Sequence, residues 1–283
     1  MMKISFVSFL LTAVIFIVIS GCGPPKISSD CQSPNRYPQN FTAQEALFIR
    51  ERNCSPHILA SAFLIDRERG LFASAKHFVG TESDGEAKMF FNGRIYDIFL
   101  VRLLAVTDAA ILKIQGNFNP ASFPEPYKIA QNIRAGDEVF VRGFHPHPKE
   151  FQKNKILIPI TRDYYGELGK NREFVYDNLE GKIVDLAAKI QNKDIGGSSE
   201  LLSEVTNSYI KLETREDHRF SFGGLSGGPT VNEKGELIGI NSSERSGGLE
   251  LTMRGIEYRP WKTFHLVPAS ELEKLMPLLA DIK

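Results

Sequence analysis

The sequence predicts a protein built mainly of β-strands that form a barrel or a sandwich. Between Ile58 and Leu157 the apolar runs are short, rich in Ile, Val, Phe and Leu, and separated by Gly, Asn, Asp and Pro, a pattern typical of strands. The chain has 283 residues, of which 42% are hydrophobic and 24% charged, so it can bury a sizeable core. Its 34 basic and 34 acidic residues show no basic bias towards nucleic acid.

The N-terminal 55 residues are expected to carry targeting and tethering signals. Lys3 precedes a long apolar run, which predicts a secretory signal peptide over residues 1–21. Residues 22–55 begin with prolines among Ser, Gln and Asn, which predicts a tether, and a short helix is expected over Ala43 to Arg52. We therefore expect the folded domain to span residues 56–283.

Within this domain the predicted strands are Ala60 to Asp66, Leu71 to Ser74, Ala87 to Phe91, Arg94 to Val106, Ala110 to Ile114, Glu138 to Phe144, Tyr209 to Leu212, Gly228 to Val231 and Glu236 to Asn241. The Asn92-Gly93 pair predicts a hairpin turn of the kind favoured by positive φ. Apolar residues at helical spacing predict a helical insertion over about 179–207. Ser270 and Glu273 have the spacing of a capping box, which predicts a C-terminal helix over 270–280.

The apolar run ends in Ile19-Ser20-Gly21-Cys22, which resembles the lipobox of bacterial lipoproteins. The resemblance implies cleavage before Cys22, which becomes the acylated N-terminus and attaches the protein to a membrane of the cell envelope. By its similarity to known sorting patterns, the following glycine favours the outer membrane, with the protein facing the periplasm or the cell exterior. The alternatives are a plain signal peptide with an incidental cysteine and an uncleaved anchor, for which the run is short.

Cys31 and Cys54 are the other two cysteines of the chain. Outside the cytoplasm a disulfide between them can persist. Two free or buried thiols remain the alternative, because the spacing alone does not select between them.

The strongest chemical signal is the block Gly223-Gly224-Leu225-Ser226-Gly227-Gly228-Pro229, in which a serine stands among four glycines. Glycines permit a tight turn on which a serine hydroxyl is exposed and backbone amides can point at an oxyanion. Taken alone, such a cluster is more often a surface loop than a nucleophile. The rest of the chain therefore has to decide its meaning.

This block resembles the Gly-x-Ser-Gly-Gly-Pro signature of trypsin-like serine proteases. Upstream, Ser74 to Val79 resembles the segment bearing the family's histidine, and Thr107 to Ile114 resembles the one bearing its aspartate. Val231 to Ser242 is similar to the hairpin that follows the serine in bacterial Deg/HtrA-type proteases. Only four residues follow Leu279, so no PDZ domain is expected.

The resemblance implies an all-β fold of two six-stranded antiparallel β-barrels, the first over about 56–145 and the second over about 150–268. It also implies a serine endopeptidase acting on proteins or peptides, without a cofactor or a metal site, whose catalytic triad is His77, Asp108 and Ser226. An unassisted serine hydroxyl is a weak nucleophile, so His77 would act as its base and Asp108 would orient the imidazole. The amides of Gly224 and Ser226 would form the oxyanion hole.

These motifs allow three other interpretations. Gly224 to Gly228 also fits the nucleophile elbow of α/β-hydrolases, but that motif needs a helix after the serine, and strand-like sequence follows here. His145 and His147 are weak evidence for a metal site without nearby carboxylates. A binding lipoprotein that keeps the protease fold without turnover is the alternative function. The oligomeric state and the substrate are not indicated. The specificity pocket is expected near Phe220 to Gly223 and Ser242 to Glu244. Because Phe220 and Ser221 supply no acidic pocket base, a small or medium apolar side chain before the scissile bond is the expected preference.

Overall fold

Most of the chain's strands close into two barrels. Twelve of the described strands form two six-stranded antiparallel β-barrels, and two more form a separate two-stranded sheet. This confirms the two barrels that the resemblance implied. A computed structural model describes residues 44–52, 55–79, 86–104, 107–145, 175–190, 207–218, 222–245, 248–252, 255–259 and 261–279.

The first barrel has the strand order β1-β2-β3-β6-β5-β4. Its interior is a cluster of buried apolar side chains that includes Phe48, Leu64, Phe72 and Leu112. The turn between β4 and β5 is the predicted hairpin, since Asn92 and Gly93 have φ values of 49° and 72°. The strands are β1 (Glu45–Arg52), β2 (Ser55–Asp66), β3 (Leu71–Ser74), β4 (Glu86–Phe91), β5 (Arg94–Leu103) and β6 (Ala110–Ile114).

The helix expected over Ala43 to Arg52 is wrong, because these residues include strand β1, which pairs with β2 and β4. The folded domain therefore starts before residue 56. Strand β1 is buried on both faces: Phe48 lies in the barrel interior, whereas Leu47 and Ile49 pack with Phe90 on the outside. A strand buried on both faces gives a continuous apolar run, which periodicity cannot distinguish from a helix.

The second barrel has the order β10-β11-β14-β9-β8-β7. The expected boundary at residue 145 is wrong, because β7 belongs to this barrel; strand periodicity does not tell which sheet a strand joins. The strands β12 (Gly248–Thr252) and β13 (Gly255–Arg259) form the separate sheet between β11 and β14. The barrel strands are β7 (Glu138–His145), β8 (Val175–Ile190), β9 (Asn207–His218), β10 (Pro229–Asn232), β11 (Leu237–Arg245) and β14 (Trp261–Pro268).

The helical insertion expected over about 179–207 is also wrong where the structure describes it. Leu179 to Ile190 lies within strand β8, and residues 191–206 lie outside the described ranges. Leu179 and Ile183 share the core-facing side of the strand, and the pairing with β9 shifts register twice between Ile183 and Ala188. These bulges break the alternation of the strand, which left a spacing that mimics a helix.

Short helices complete the fold. Helix α1 (Lys76–Val79) follows β3, and helix α2 (Ser270–Leu275) continues as a 3₁₀ turn over Met276–Leu279, which confirms the C-terminal helix. Its expected capping box is not formed, since the N-cap is Ala269 and has no side-chain cap bond. None of the described helices is long and apolar enough to cross a membrane.

Another cluster of buried apolar side chains lies between the two barrels. It joins Phe63, Ala73 and Ile111 of the first barrel to residues of the second, namely Tyr209, Leu237, Ile240 and Val267. His77 follows strand β3 and Asp108 precedes strand β6. Both strands are thereby packed against β9 and β11. The barrel interface therefore brings the predicted site segments together.

Candidate active site

His77 and Asp108 form a close pair at the edge of the first barrel. The pairing of Ser74 with Ala110 in strands β3 and β6 brings the segments after and before these strands side by side. His77 Nδ1 lies 2.7 Å from Asp108 Oδ2, and the His77 backbone N–H donates to Asp108 Oδ1 at 2.9 Å. With Nδ1 as the donor to a carboxylate, Nε2 is the basic nitrogen of the ring. The histidine side chain is 22% exposed and that of the aspartate 1%, so only the imidazole reaches solvent.

Two side chains from the second barrel complete the environment of Asp108. The Ser242 hydroxyl donates to Asp108 Oδ2 at 2.7 Å, and the Asp108 backbone N–H donates to the Tyr209 hydroxyl at 3.3 Å. Burial and the neighbouring Asp108 carboxylate raise the pKa of Tyr209, while its hydrogen bonds to the Asp108 backbone and to Ser242 partly oppose that shift. Tyr209 therefore stays a neutral phenol beside a buried carboxylate.

Ser226 lies within the second of two consecutive turns. The Leu225 N–H donates to the Phe222 carbonyl at 3.1 Å, and the Gly228 N–H donates to the Leu225 carbonyl at 3.0 Å. Gly224 and Gly227, the third residues of these turns, have φ values of 95° and 85°, as a type II turn requires. The glycines therefore place Ser226 at the tip of the second turn.

Asn241 stabilises these two turns through hydrogen bonds of its side chain and its backbone. Its side-chain amide donates to the carbonyls of Leu225 at 3.1 Å and Arg142 at 2.9 Å, and its backbone carbonyl accepts from Gly227 N–H at 2.7 Å. The Thr230 hydroxyl in turn donates to the Asn241 side-chain carbonyl at 2.6 Å. These bonds satisfy the buried polar groups that the turn would otherwise leave unpaired.

The remaining amides of the turn are those of Gly224 and Ser226, which the resemblance assigned to an oxyanion hole. Leu225, Gly227 and Gly228 donate their N–H groups within the fold. Among the described contacts, neither the Gly224 N–H nor the Ser226 N–H donates to a protein acceptor. The two amides predicted for the oxyanion hole are thus the two that remain available for a ligand.

The Ser226 hydroxyl donates to the Ser242 carbonyl at 3.1 Å. Over the described contacts it makes no hydrogen bond to His77. The predicted residues are nevertheless linked through one residue, because the Ser242 side chain contacts Asp108 and its carbonyl contacts Ser226. Ser242 therefore lies between the His77–Asp108 pair and Ser226 and contacts each side with a different group, its hydroxyl on Asp108 and its carbonyl on Ser226.

The other predicted sites fall outside this description. Cys22, Cys31, Cys54, His147 and the specificity-pocket residues Phe220 and Ser221 are outside the described residues. The described residues contain no group of three or more His, Cys, Asp or Glu that could hold a metal ion.

Sequence reasoning missed several residues that shape the site. Ser242 entered only as the end of a hairpin and as part of the expected specificity pocket, and Tyr209 and Ser61 only as parts of strands. All three carry a hydroxyl and are buried to 1% exposure or less, and Ser61 stands between apolar residues of its strand. A hydroxyl at a position that faces a core needs a partner, and this was the available signal.

The comparisons agree with the geometry. Residues 60–240 match the family model described as trypsin-like peptidase domain, a stretch that contains His77, Asp108 and Ser226. No curated protein matches the chain.

Solved structures show the same fold. The active form of the Rv3671c protease from M. tuberculosis is 15% identical, with a TM-score of 0.53, covering 85% of this chain and 82% of that one. The inactive form of the Rv3671c protease is 13% identical, with a TM-score of 0.50, covering 84% and 89%. Because the family model spans more than half of the sequence, this chain belongs to the family of trypsin-like peptidase domains.

Proposed function

We propose that this chain is a serine endopeptidase that cleaves protein or peptide substrates through an acyl-enzyme on Ser226. The observation that carries the proposal is the buried Asp108 carboxylate 2.7 Å from His77 Nδ1, joined through Ser242 to Ser226. A buried carboxylate, a partly exposed imidazole and a serine on a glycine turn are the parts that acyl transfer needs.

The first half of the reaction forms the acyl-enzyme. The Ser226 hydroxyl rotates from the Ser242 carbonyl towards His77 Nε2, which takes its proton as Oγ attacks the scissile carbonyl carbon. The negative charge that develops on the carbonyl oxygen is stabilised by the N–H groups of Gly224 and Ser226. The imidazolium, stabilised by Asp108, then protonates the amine as the C–N bond breaks.

The second half releases the product. Water attacks the ester carbonyl while His77 Nε2 takes the water proton, and the same two amides stabilise the second tetrahedral intermediate. Its collapse breaks the Oγ–C bond, and His77 returns the proton to Ser226. The enzyme is restored, and no cofactor is consumed.

One observation favours a second candidate, a binding lipoprotein without turnover. Ser226 donates to the Ser242 carbonyl rather than to the imidazole, as would be expected of a resting nucleophile or of one that never reacts. Catalytic hydrogen bonds are often loose before substrate binds, so the first candidate is preferred.

Labelling with a fluorophosphonate separates the two functions. An active site covalently modifies Ser226, and mass spectrometry of the labelled peptide locates the adduct. The controls are Ser226→Ala, which removes the nucleophile, and His77→Ala, which removes its base. A folded wild-type protein that stays unlabelled would make the binding function the correct one.

The same proposal includes the location of the protein. The lipobox-like residues before Cys22 support cleavage and acylation there, with the domain tethered to the bacterial cell envelope and the outer membrane favoured. In such a place the substrates would be misfolded or specific envelope proteins.

A further inference from the structure

Ser61 of the first barrel contacts the turn that carries the nucleophile. Its hydroxyl donates to the Gly224 carbonyl at 2.8 Å and accepts from the Phe144 backbone N–H at 2.8 Å. Its own backbone N–H donates to the Ser226 carbonyl at 2.8 Å. One residue of β2 thus bonds three backbone groups of the second barrel.

These bonds fix the peptide groups on both sides of the proposed donor at Ser226 and the peptide group that follows the proposed donor at Gly224. The Gly224–Leu225 peptide is held at its carbonyl by Ser61 and at its N–H by Phe222. The peptide after Ser226 is held at its carbonyl by the Ser61 amide. Since glycine has no side chain to restrict its φ and ψ, the orientation of the Gly224 N–H depends on such external bonds.

The surroundings of Ser61 leave little room for a water molecule to replace its hydroxyl. Ser61 is fully buried, and a Cβ added at Gly143 would lie 2.5 Å from its hydroxyl oxygen. A Cβ added at Gly227 would lie 2.1 Å from its carbonyl oxygen. The contact between barrel and turn is therefore close and dry, and a lost hydroxyl could not easily be replaced by solvent.

We propose that Ser61 is a positioning residue for the oxyanion hole, through which the first barrel orients the Gly224 and Ser226 amides. This inference rests on the proposed function, since it concerns the same site. Ser61 touches neither substrate nor the reacting atoms; it acts through the backbone of the turn.

The test is the reaction of Ser61→Ala with a fluorophosphonate, resolved into the rate of covalent modification and the dissociation constant of the initial complex. Removing an oxyanion donor lowers turnover by about 10²–10³-fold, and a misoriented donor should lose less. We expect the rate of modification to fall about 10- to 100-fold, with the dissociation constant changed less than about two-fold. A purely structural role would lower the urea midpoint without this selective loss of rate.

Two variants serve as controls. Thr214→Val removes another buried hydroxyl that donates to two backbone carbonyls, those of Glu216 and Lys262, and should lower stability while keeping the rate of modification. Ser61→Cys keeps a weaker donor of similar shape and should give an intermediate rate. If Ser61→Ala does not fold, the comparison of Ser61→Cys with wild type decides.

The outcomes are distinguishable. If wild type is labelled and folded Ser61→Ala is labelled at the same rate, the inference is overturned and the proposed function stands. If Ser61→Ala is unfolded, an unchanged rate in Ser61→Cys has the same meaning. An equal loss of rate in Thr214→Val would also overturn it, because the effect would then reflect stability. A wild-type protein that is not labelled at all would overturn both.

Discussion

Ser242 serves both halves of the proposed triad with different groups. Its hydroxyl donates to the buried Asp108 carboxylate, and its carbonyl accepts from Ser226. A carboxylate in a nearly dry environment is stabilised only by hydrogen bonds and charge, and Asp108 accepts such bonds from His77 and Ser242. The serine hydroxyl is meanwhile held within the same cluster by the Ser242 carbonyl.

The first prediction concerns the triad as one unit. Ser226→Ala and His77→Ala should each reduce casein cleavage by about 10⁴-fold or more, and the double variant should be scarcely worse than either single one, because residues that act together are not additive. Asp108→Asn should also lose activity by about 10⁴-fold, since the amide selects the wrong imidazole tautomer. Rates are measured on purified proteins of matched circular dichroism. Additive losses in the double variant would contradict a shared mechanism.

At the scale of elements, the sequence predicted most strand positions, but it predicted helices where the structure has strands β1 and β8. Strands β3 and β6, which are short, mostly apolar runs of four and five residues, were predicted with their observed ends because runs of that length favour strands over helices. The prediction for strand β1 failed because both faces of the strand are buried. The prediction for β8 failed because two bulges disturb the alternation of the strand. In both cases tertiary packing, which a local pattern does not contain, decided the structure.

The glycines of the Ser226 turn were recognised from the sequence. The structural requirement for glycine differs from one of these positions to the next. Gly224 and Gly227 have positive φ, which the turn requires. Gly227 and Gly228 also lie so close to backbone oxygens, those of Ser61 and Arg142, that an added Cβ would be 2.1 and 2.2 Å from them. The motif therefore reflects backbone conformation, the close approach of the first barrel at Gly227 and the close approach of β7 at Gly228.

The second prediction tests this difference with Gly227→Ala and Gly235→Ala. Both glycines have positive φ, 85° and 75°, but a Cβ at Gly235 would meet nothing within 4 Å. Gly235→Ala should lose only about 1–2 kcal/mol of unfolding free energy through strain and should keep fluorophosphonate labelling. Gly227→Ala should lose more stability and nearly all labelling, because the turn must move away from Ser61. Equal effects in urea unfolding and labelling would show that close approach is unimportant.

On the scale of the whole molecule, the contacts between the barrels were beyond sequence reasoning. Ser61 and Gly224, or Asp108 and Ser242, are far apart in sequence and meet only because strands from both barrels pack together. The triad could be named because it matches a known motif order. The residues that support it carry no such motif, so only the fold identifies them.

The third prediction concerns the attachment of the protein to the envelope. If Cys22 is acylated, the wild-type protein should fractionate with membranes, because several acyl chains bind a bilayer durably. Cys22→Ala should release the protein into the soluble fraction, detected by immunoblotting of both fractions. Ser20→Ala, which leaves the cysteine in place, is the control and should stay membrane-bound. A Cys22→Ala protein that remained on membranes after confirmed signal cleavage would contradict lipid anchoring.

The last prediction concerns a buried polar group that joins the barrels. The Tyr127 hydroxyl donates to the fully buried Glu45 of β1 and accepts from Arg142 of β7 at 3.4 Å. Tyr127→Phe removes both bonds, so we expect the unfolding free energy at neutral pH to fall by about 1–3 kcal/mol. Tyr96→Phe, in the first barrel alone, is the matched control.

The pH dependence of unfolding gives Tyr127 a second, independent test. Burial and the adjacent Glu45 raise the pKa of Tyr127, so the native state holds the phenol proton more tightly than the unfolded chain does. The stability from this difference is complete below the unfolded pKa of about 10 and declines as the pH rises above it. Urea midpoints measured between pH 8 and about 11 should therefore fall less steeply for Tyr127→Phe than for wild type. A slope unchanged by the substitution would show that this phenol does not stabilise the native state by staying neutral.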